Sequence, residues 1–120
     1  MSKREPLISG RIVFGGKVKS FSGATAYVRL EDVSRADASA TTVAEQVIKG
    51  VSHQTGKEEA VSFILYGDPP EEHSDYSVRV HVDVDGDGEI SVGDYISTES
   101  YPVLTYGRPA RVDVRVEEVT

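Results

Sequence analysis

The stretch of sequence that decides the fold runs from Tyr76 to Asp94 and reads Tyr-Ser-Val-Arg-Val-His-Val-Asp-Val-Asp-Gly-Asp-Gly-Glu-Ile-Ser-Val-Gly-Asp. In its first half, from Tyr76 to Val84, every second residue is apolar and the residues between them are polar. This period of two is typical of a β-strand with one buried face and one solvated face. The sequence therefore predicts a strand that leads directly into an acidic segment.

The acidic segment, residues 83–94, has the spacing of an EF-hand calcium loop. Alternate carboxylates at the first, third and fifth positions can converge on one hard cation, and Gly88 at the sixth position permits the sharp turn. The seventh residue is expected to offer its backbone carbonyl and the ninth to act through a water molecule. We therefore predict these metal-binding residues: Asp83, Asp85, Asp87, Glu89, Ser91 and Asp94.

The predicted ion is Ca²⁺, and Mg²⁺ is an alternative because Asp94 is shorter than the glutamate usual at the twelfth position. Ile90 is expected to point into the core. A simple hairpin turn is the competing interpretation, since Asp and Gly are also the residues that tight turns between strands prefer. Because strands rather than helices are predicted on both sides, we expect the ion to hold the loop in shape and not to drive a helix-opening switch.

The same alternation recurs elsewhere in the chain, with turn residues between the runs. About seven strands are predicted, near residues 8–14, 25–31, 43–49, 61–65, 76–84, 95–101 and 112–116. For residues 35–42 periodicity leaves a short helix or a loop open, and we favour a loop followed by a strand. The predicted fold is all-β: an antiparallel two-sheet β-sandwich with Greek-key connections.

Length and composition predict a single domain. A chain of 120 residues with 38% hydrophobic residues suits one modest core. We expect a tail at residues 1–7 and one domain at residues 8–119. No internal repeat or long linker is evident.

Charge and residue content limit the partners. The net charge is −7, with five acids and no base inside the loop, so a cation is favoured as a ligand and nucleic acid is not. Cysteine is absent, which excludes disulfides and cysteine metal sites. As the chain stands, without a signal-peptide run, a lipidated cysteine or a membrane span, we expect it in the cytoplasm, or in the cell envelope if its N-terminus has been replaced.

The remaining motifs do not indicate an enzyme. Residues 50–57 imitate a phosphate-binding loop, but the glycine spacing is wrong and Glu58 replaces the hydroxyl residue that holds magnesium. No nucleophile elbow is present, and His53, His73 and His81 are interpreted as surface residues. Tyrosines near strand ends suit either a core edge or an aromatic binding patch, and the core edge is favoured.

Several segments together resemble the YbaY/YscW family. The most specific is the pattern Val-x-Leu-x-Asp-x-Ser-x-Ala-Asp-Ala from Val28 to Ala38, and the resemblance extends from Ser9 to Val119. The other segments, in order along the chain, are 9–10, 61–66, 76–80 and 101–105.

The resemblance implies a small β-sandwich without catalytic activity. For the better understood members it implies an envelope lipoprotein that acts as a pilot or chaperone for an outer-membrane secretin. This sequence departs from the family in lacking the lipidated cysteine and in carrying the acidic loop where a plain hairpin is expected.

Two functions follow as hypotheses. The first is a non-enzymatic interaction module that binds a protein segment such as a secretin terminus and carries a structural calcium loop. The second is a calcium-stabilised structural or carbohydrate-binding sandwich. An exposed edge or groove would favour the first, and an exposed tyrosine platform the second. The oligomeric state is not indicated.

Overall fold

The computed structural model describes residues 4–35 and 38–120, and in these residues the secondary structure is entirely β. No helix long and apolar enough to cross a membrane occurs in them. Eight strands follow one another along the chain: β1 Glu5–Phe14, β2 Phe21–Asp32, β3 Thr41–His53, β4 Glu59–Gly67, β5 Tyr76–Asp83, β6 Tyr95–Ser97, β7 Pro102–Val103 and β8 Arg111–Glu118.

The strands form a single, nearly closed, barrel-like sheet in the order β3-β2-β5-β6-β8-β1-β4, with β7 paired to β5. The prediction of an all-β fold is confirmed, but the structure is not clearly the predicted two-sheet sandwich. Nor is it purely antiparallel, since β1 and β8 run parallel. The physical reason for the difference is that a period of two assigns the faces of a strand and not its neighbours.

Strand β8 joins the two parts of the barrel. Its first half, from Arg111 to Arg115, pairs with β1, and its second half, from Val116 to Glu118, pairs with β6. The two partners lie at opposite ends of a strand of eight residues. One continuous sheet therefore curls back toward itself where two separate sheets were expected.

Alternate residues of the strands fill the interior of the barrel, as the sequence pattern predicts. On β5 the inward residues are Val78, Val80 and Val82, all at most 2% exposed. Strands β1 and β2 add further fully buried side chains: Ile8, Ile12, Phe14, Ala26, Val28 and Leu30. Burial of such apolar surface is the main favourable term in folding.

The sheet path ends at β3 on one side and at β4 on the other. These strands follow each other in the chain, yet no backbone pairing joins them among the described residues. The Gln46 side chain crosses between them, its Oε1 accepting a hydrogen bond of 2.8 Å from Ile64 N. At this position a side-chain contact joins the two edges where no backbone ladder does, and the barrel is therefore nearly closed.

Two predicted boundaries differ from the structure. The predicted tail at residues 1–7 contains the start of β1 at Glu5, and Leu7 is buried against the core. Residues 1–3 of that tail lie outside the described part of the chain. In the segment 35–42, residues 36 and 37 also lie outside it, and β3 begins at Thr41, two residues before the predicted start of this strand.

Gly10 permits the parallel pairing of β1 with β8. A Cβ atom built on Gly10 would lie 1.8 Å from the carbonyl oxygen of Val112, its register partner on β8, and 3.0 Å from the ring of Phe63 on β4. A contact of 1.8 Å with a backbone atom cannot be relieved by rotating a side chain. Any other residue at this position must push β8 away from β1.

We predict that Gly10→Ala lowers the free energy of unfolding by about 3 kcal/mol or more, because the added methyl group overpacks a backbone contact. Urea unfolding followed by circular dichroism measures the change. The matched control is Gly16→Ala, where an added Cβ meets nothing within 4 Å. The control is expected to stay within about 1 kcal/mol of the wild type. Equal stability of the two variants would contradict the proposed role of Gly10.

Candidate functional site in the acidic loop

The acidic loop connects β5 to β6. Asp83 is the last residue of β5, and Asp94 immediately precedes β6. Strands therefore flank the loop on both sides, as the sequence predicts. The loop leaves and re-enters one sheet, since β5 and β6 are antiparallel neighbours.

Asp83 is buried and is held by backbone donors of the loop. Its Oδ1 accepts a hydrogen bond of 3.0 Å from Gly86 N, and its Oδ2 accepts one of 2.8 Å from Gly88 N. Both glycines have a φ of +76°, a conformation that glycine adopts without steric cost. The sharp turn that the sequence assigns to Gly88 is thus present, and it directs two N–H groups at one carboxylate.

Asp94 is equally buried, with 1% of its surface exposed. Its Oδ1 accepts a hydrogen bond of 2.9 Å from Val84 N, and its Oδ2 lies 2.9 Å from Nε2 of His81. The amide of Ser91 also donates to Oδ2, at 3.2 Å. These contacts satisfy a carboxylate that would otherwise be costly to bury.

His81 belongs to this site, although the sequence analysis assigned it to the surface. It is 6% exposed, its ring stacks on Tyr27 at 5.7 Å between centroids, and it contacts Asp94. The signal that could have identified it is its position two residues before Asp83, because residues two apart on a strand lie on the same face.

Asp85 and Asp87 are exposed and lie at the open side of the loop. The Ser91 hydroxyl donates a hydrogen bond of 2.9 Å to Asp85 Oδ2, and this bond, followed by that with Asp83, lowers the pKa of Asp85. Opposing effects act on Asp87: Glu89 N donates a hydrogen bond of 2.9 Å to Asp87 Oδ1, and this bond alone would lower the pKa of Asp87. Burial, together with the hydrogen bond and charge of Asp85 and the charge of Asp83, outweighs that bond, so the net pKa of Asp87 is raised.

The two shifts have opposite consequences for stability. The lowered pKa of Asp85 adds stability above its unfolded pKa, and that stability is lost as the pH falls through the folded value. The raised pKa of Asp87 adds stability below its unfolded pKa, and that stability is lost as the pH rises through the folded value. Near neutral pH, Asp87 is therefore a carboxylate that its neighbours disfavour.

The structure brings four of the six predicted metal-binding residues together. One carboxylate oxygen each from Asp83, Asp85, Asp87 and Asp94 lies within 4.8 Å of the others. Ser91 contacts two of these carboxylates through its hydroxyl. The Glu89 side chain is exposed and is not part of the group, and the prediction assigned only its backbone carbonyl.

The prediction that Ile90 points into the core is wrong, because Ile90 is 55% exposed. The strands already fill the barrel with their inward side chains, so the loop has no opening into the interior. His53 is also buried rather than on the surface, with its ring 5.3 Å from that of Phe14. His73 is exposed, as predicted.

The tyrosines do not form an aromatic platform in the described part of the chain, where no two tyrosine rings pack together. Tyr95 is buried against Phe21, and Tyr101 is half-buried, whereas Tyr66 and Tyr106 are exposed. The favoured core-edge interpretation fits Tyr95 and Tyr101. Nothing in this arrangement gives specific support to carbohydrate binding.

A nucleophile activated by a base is not evident among the described residues. Ser91, Asp94 and His81 lie close together, but the hydroxyl donates to carboxylates and the imidazole contacts the same carboxylate. Acyl-transfer chemistry requires the serine to donate to the histidine. The arrangement orders a loop and does not resemble a catalytic triad.

Comparison with known proteins places this fold among secretion-system proteins. The family model described as "Type III secretion system lipoprotein chaperone (YscW)" matches residues 3–116. The solved structure of an alternative pilotin from the type II secretion system of Vibrio cholerae is similar with a TM-score of 0.77 and 26% sequence identity, and the match covers 98% of this chain and 99% of that one. No curated protein sequence matches the chain.

Proposed function

The chain belongs to the family of type III secretion system lipoprotein chaperones (YscW), and from this we propose that it acts as a pilot or chaperone that binds a protein segment of a secretion apparatus. The single observation that carries the proposal is the correspondence with a pilotin over almost the whole length of both chains. The family model and the structural similarity both extend over almost the whole chain. A shared fold alone would be a weaker argument, because one fold can serve many functions.

The partner we propose is the terminus of an outer-membrane secretin. A pilot or chaperone needs an accessible surface rather than a catalytic centre, and binding segments commonly add to sheet edges or lie in surface grooves. The clefts on the outer face of the barrel offer such a surface. The compartment in which this takes place stays a prediction.

Direct binding tests the proposal. The C-terminal segment of each secretin encoded in the same genome is purified and titrated into the protein by calorimetry. We expect saturable 1:1 binding to one of these segments with a Kd of about 10 μM or tighter, a free energy that a small specific interface can supply. An N-terminal domain of the same secretin serves as the control and should not bind. Absence of binding by every secretin segment at about 200 μM would contradict the proposed function.

We also propose that the acidic loop binds Ca²⁺, with Mg²⁺ as a weaker alternative. Two features support this: four carboxylates approach within 4.8 Å, and two of them are fixed by backbone donors. Desolvation raises the pKa of Asp87, and the charges of Asp85 and Asp83 add a repulsion that a cation would offset. Oxygen ligands are those that hard cations prefer. Because the loop joins two neighbouring strands, the role of the ion is to stabilise the fold.

Calorimetric titration with calcium, together with thermal melts in calcium and in chelator, tests the metal site. We expect 1:1 binding and a higher melting temperature in calcium, because a ligand that binds the folded state stabilises it. Asp85→Ala should weaken binding by at least about tenfold, since it removes one carboxylate ligand. Asp68→Ala, which removes an exposed aspartate outside the loop, is the matched control and should bind as the wild type does. No binding heat and an unchanged melting temperature at millimolar calcium would contradict the site.

A further inference from the structure

The outer face of the barrel carries a groove that is separate from the acidic loop. Two adjoining clefts, of about 630 and 500 Å³, lie over β1, β8 and the start of β4. Glu58 and Arg115 line both clefts, so the two are continuous. Each has the volume of a small-ligand site. We call this feature the outer groove.

The walls of the outer groove are acidic on balance. Three basic residues line it: Arg11, Lys17 and Arg115. Six acidic residues line it: Glu58, Glu59, Glu99, Asp113, Glu117 and Glu118. The excess of acids means that the groove favours a partner with positive charge.

Ion pairs reduce this acidic excess without removing it. Glu59 pairs with His53 and Glu118 with Lys19. Among the described residues, Lys17 and Arg115 make no ion pair.

Arg11 is occupied by Asp113, to which it donates two hydrogen bonds of 2.9 and 3.3 Å. In residues 4–35 and 38–120, the carboxylates of Glu58, Glu99 and Glu117 make no ion pair. Unpaired carboxylates on a concave surface are free to bind ammonium or guanidinium groups of a partner.

The floor of the outer groove is apolar. Strand and turn residues contribute the side chains of Val13, Val18, Ala60 and Tyr101. The ring of Tyr101 is fixed in place because its hydroxyl accepts a hydrogen bond of 3.0 Å from Arg115 N. An apolar floor between charged walls suits a segment in which apolar and charged residues alternate.

We propose that the outer groove is the docking site for the protein segment, and that the segment is a peptide in which basic residues alternate with apolar ones. The basic residues contact Glu58, Glu99 and Glu117, and the apolar residues lie on Val13, Val18 and Tyr101. This inference rests on the proposed function and adds to it the surface used and the chemistry of the partner. It places the partner on a face of the barrel formed by β1 and β8, whereas the acidic loop follows β5.

An NMR titration tests the groove. The probe is a seven-residue peptide of alternating Lys and Val with blocked ends, added to the ¹⁵N-labelled protein in the presence of calcium so that the acidic loop does not compete. We expect saturable shifts of the amides of Val13, Ala60 and Val116. The peptide with Glu in place of Lys should bind at least about tenfold more weakly, because it repels the groove acids.

Paired variants then locate the binding charges. Glu58→Gln combined with Glu99→Gln should lower the affinity for the Lys-Val peptide by about fivefold or more. Glu71→Gln combined with Glu72→Gln removes the same charge from an exposed turn outside the groove and should leave the affinity unchanged. Equal affinities of the two double variants, or shifts confined to residues 83–94, would overturn the proposal.

The same variants separate this inference from the proposed function. If the secretin segment binds the Glu58/Glu99 double variant as tightly as the wild type, the groove assignment is wrong and the pilot function stands. If the wild type binds the Lys-Val peptide in the groove but no secretin segment, the pilot function is wrong and the charge preference of the groove stands.

Discussion

Two buried carboxylates, those of Asp83 and Asp94, determine the path of the loop between β5 and β6, and the rest of the barrel depends on this path. Asp83 ends β5 and Asp94 precedes β6, a strand of only three residues that pairs with β5 on one side and with β8 on the other. Short as it is, β6 connects the β3-β2-β5 part of the sheet to the β8-β1-β4 part. The loop must therefore bring the chain back so that β6 lies beside both β5 and β8 in one fixed register.

The carboxylates achieve this because burying a charge without hydrogen bonds is prohibitively costly. Asp83 is satisfied only when Gly86 and Gly88 direct their amides at it, and Asp94 only when it meets Val84 N. On the other side of the loop, Val119 N donates to the Asp94 carbonyl at 2.8 Å, which ties the end of β8 to the same point. A local acidic turn thus determines where two distant strands meet.

The sequence indicates the strands well, because each has one buried and one solvated face. It does not indicate their partners: the division of β8 between β1 and β6 depends on the close approach at Gly10, and a single glycine in an alternating run gives no sign of this. The acidic loop was predictable from spacing, and the structure brings together the four aspartates of the predicted set.

Other parts of the site could not be read from the sequence. The burial of His81 depends on the loop itself and on Tyr27 of the neighbouring strand, which are tertiary contacts, and its spacing from Asp83 is the one sign of it in the sequence. Ile90 was misplaced by analogy with helical calcium loops, whose eighth residue has a core to enter. The charge pattern of the outer groove could not be predicted at all, since it combines residues from β1, β4 and β8 whose proximity depends on the parallel pairing.

The acidic loop and the outer groove are different parts of one small barrel, and we propose a different role for each. The acidic loop is ordered by hydrogen bonds to its buried carboxylates, and the outer groove is the surface on which we propose that a partner segment binds. Membership of the YscW family and similarity to a pilotin give both features a common context.

The most direct test of the central claim is amide hydrogen exchange, measured by NMR on the protein in chelator. If the buried carboxylates shape the loop, the amides of Val84, Gly86 and Gly88 should exchange at least about tenfold more slowly than that of Val92, an exposed residue of the same loop. The contrary result is that these amides exchange as fast as Val92 without calcium and become protected only when calcium is added. In that case the cation, and not the buried aspartates, would determine the path of the chain.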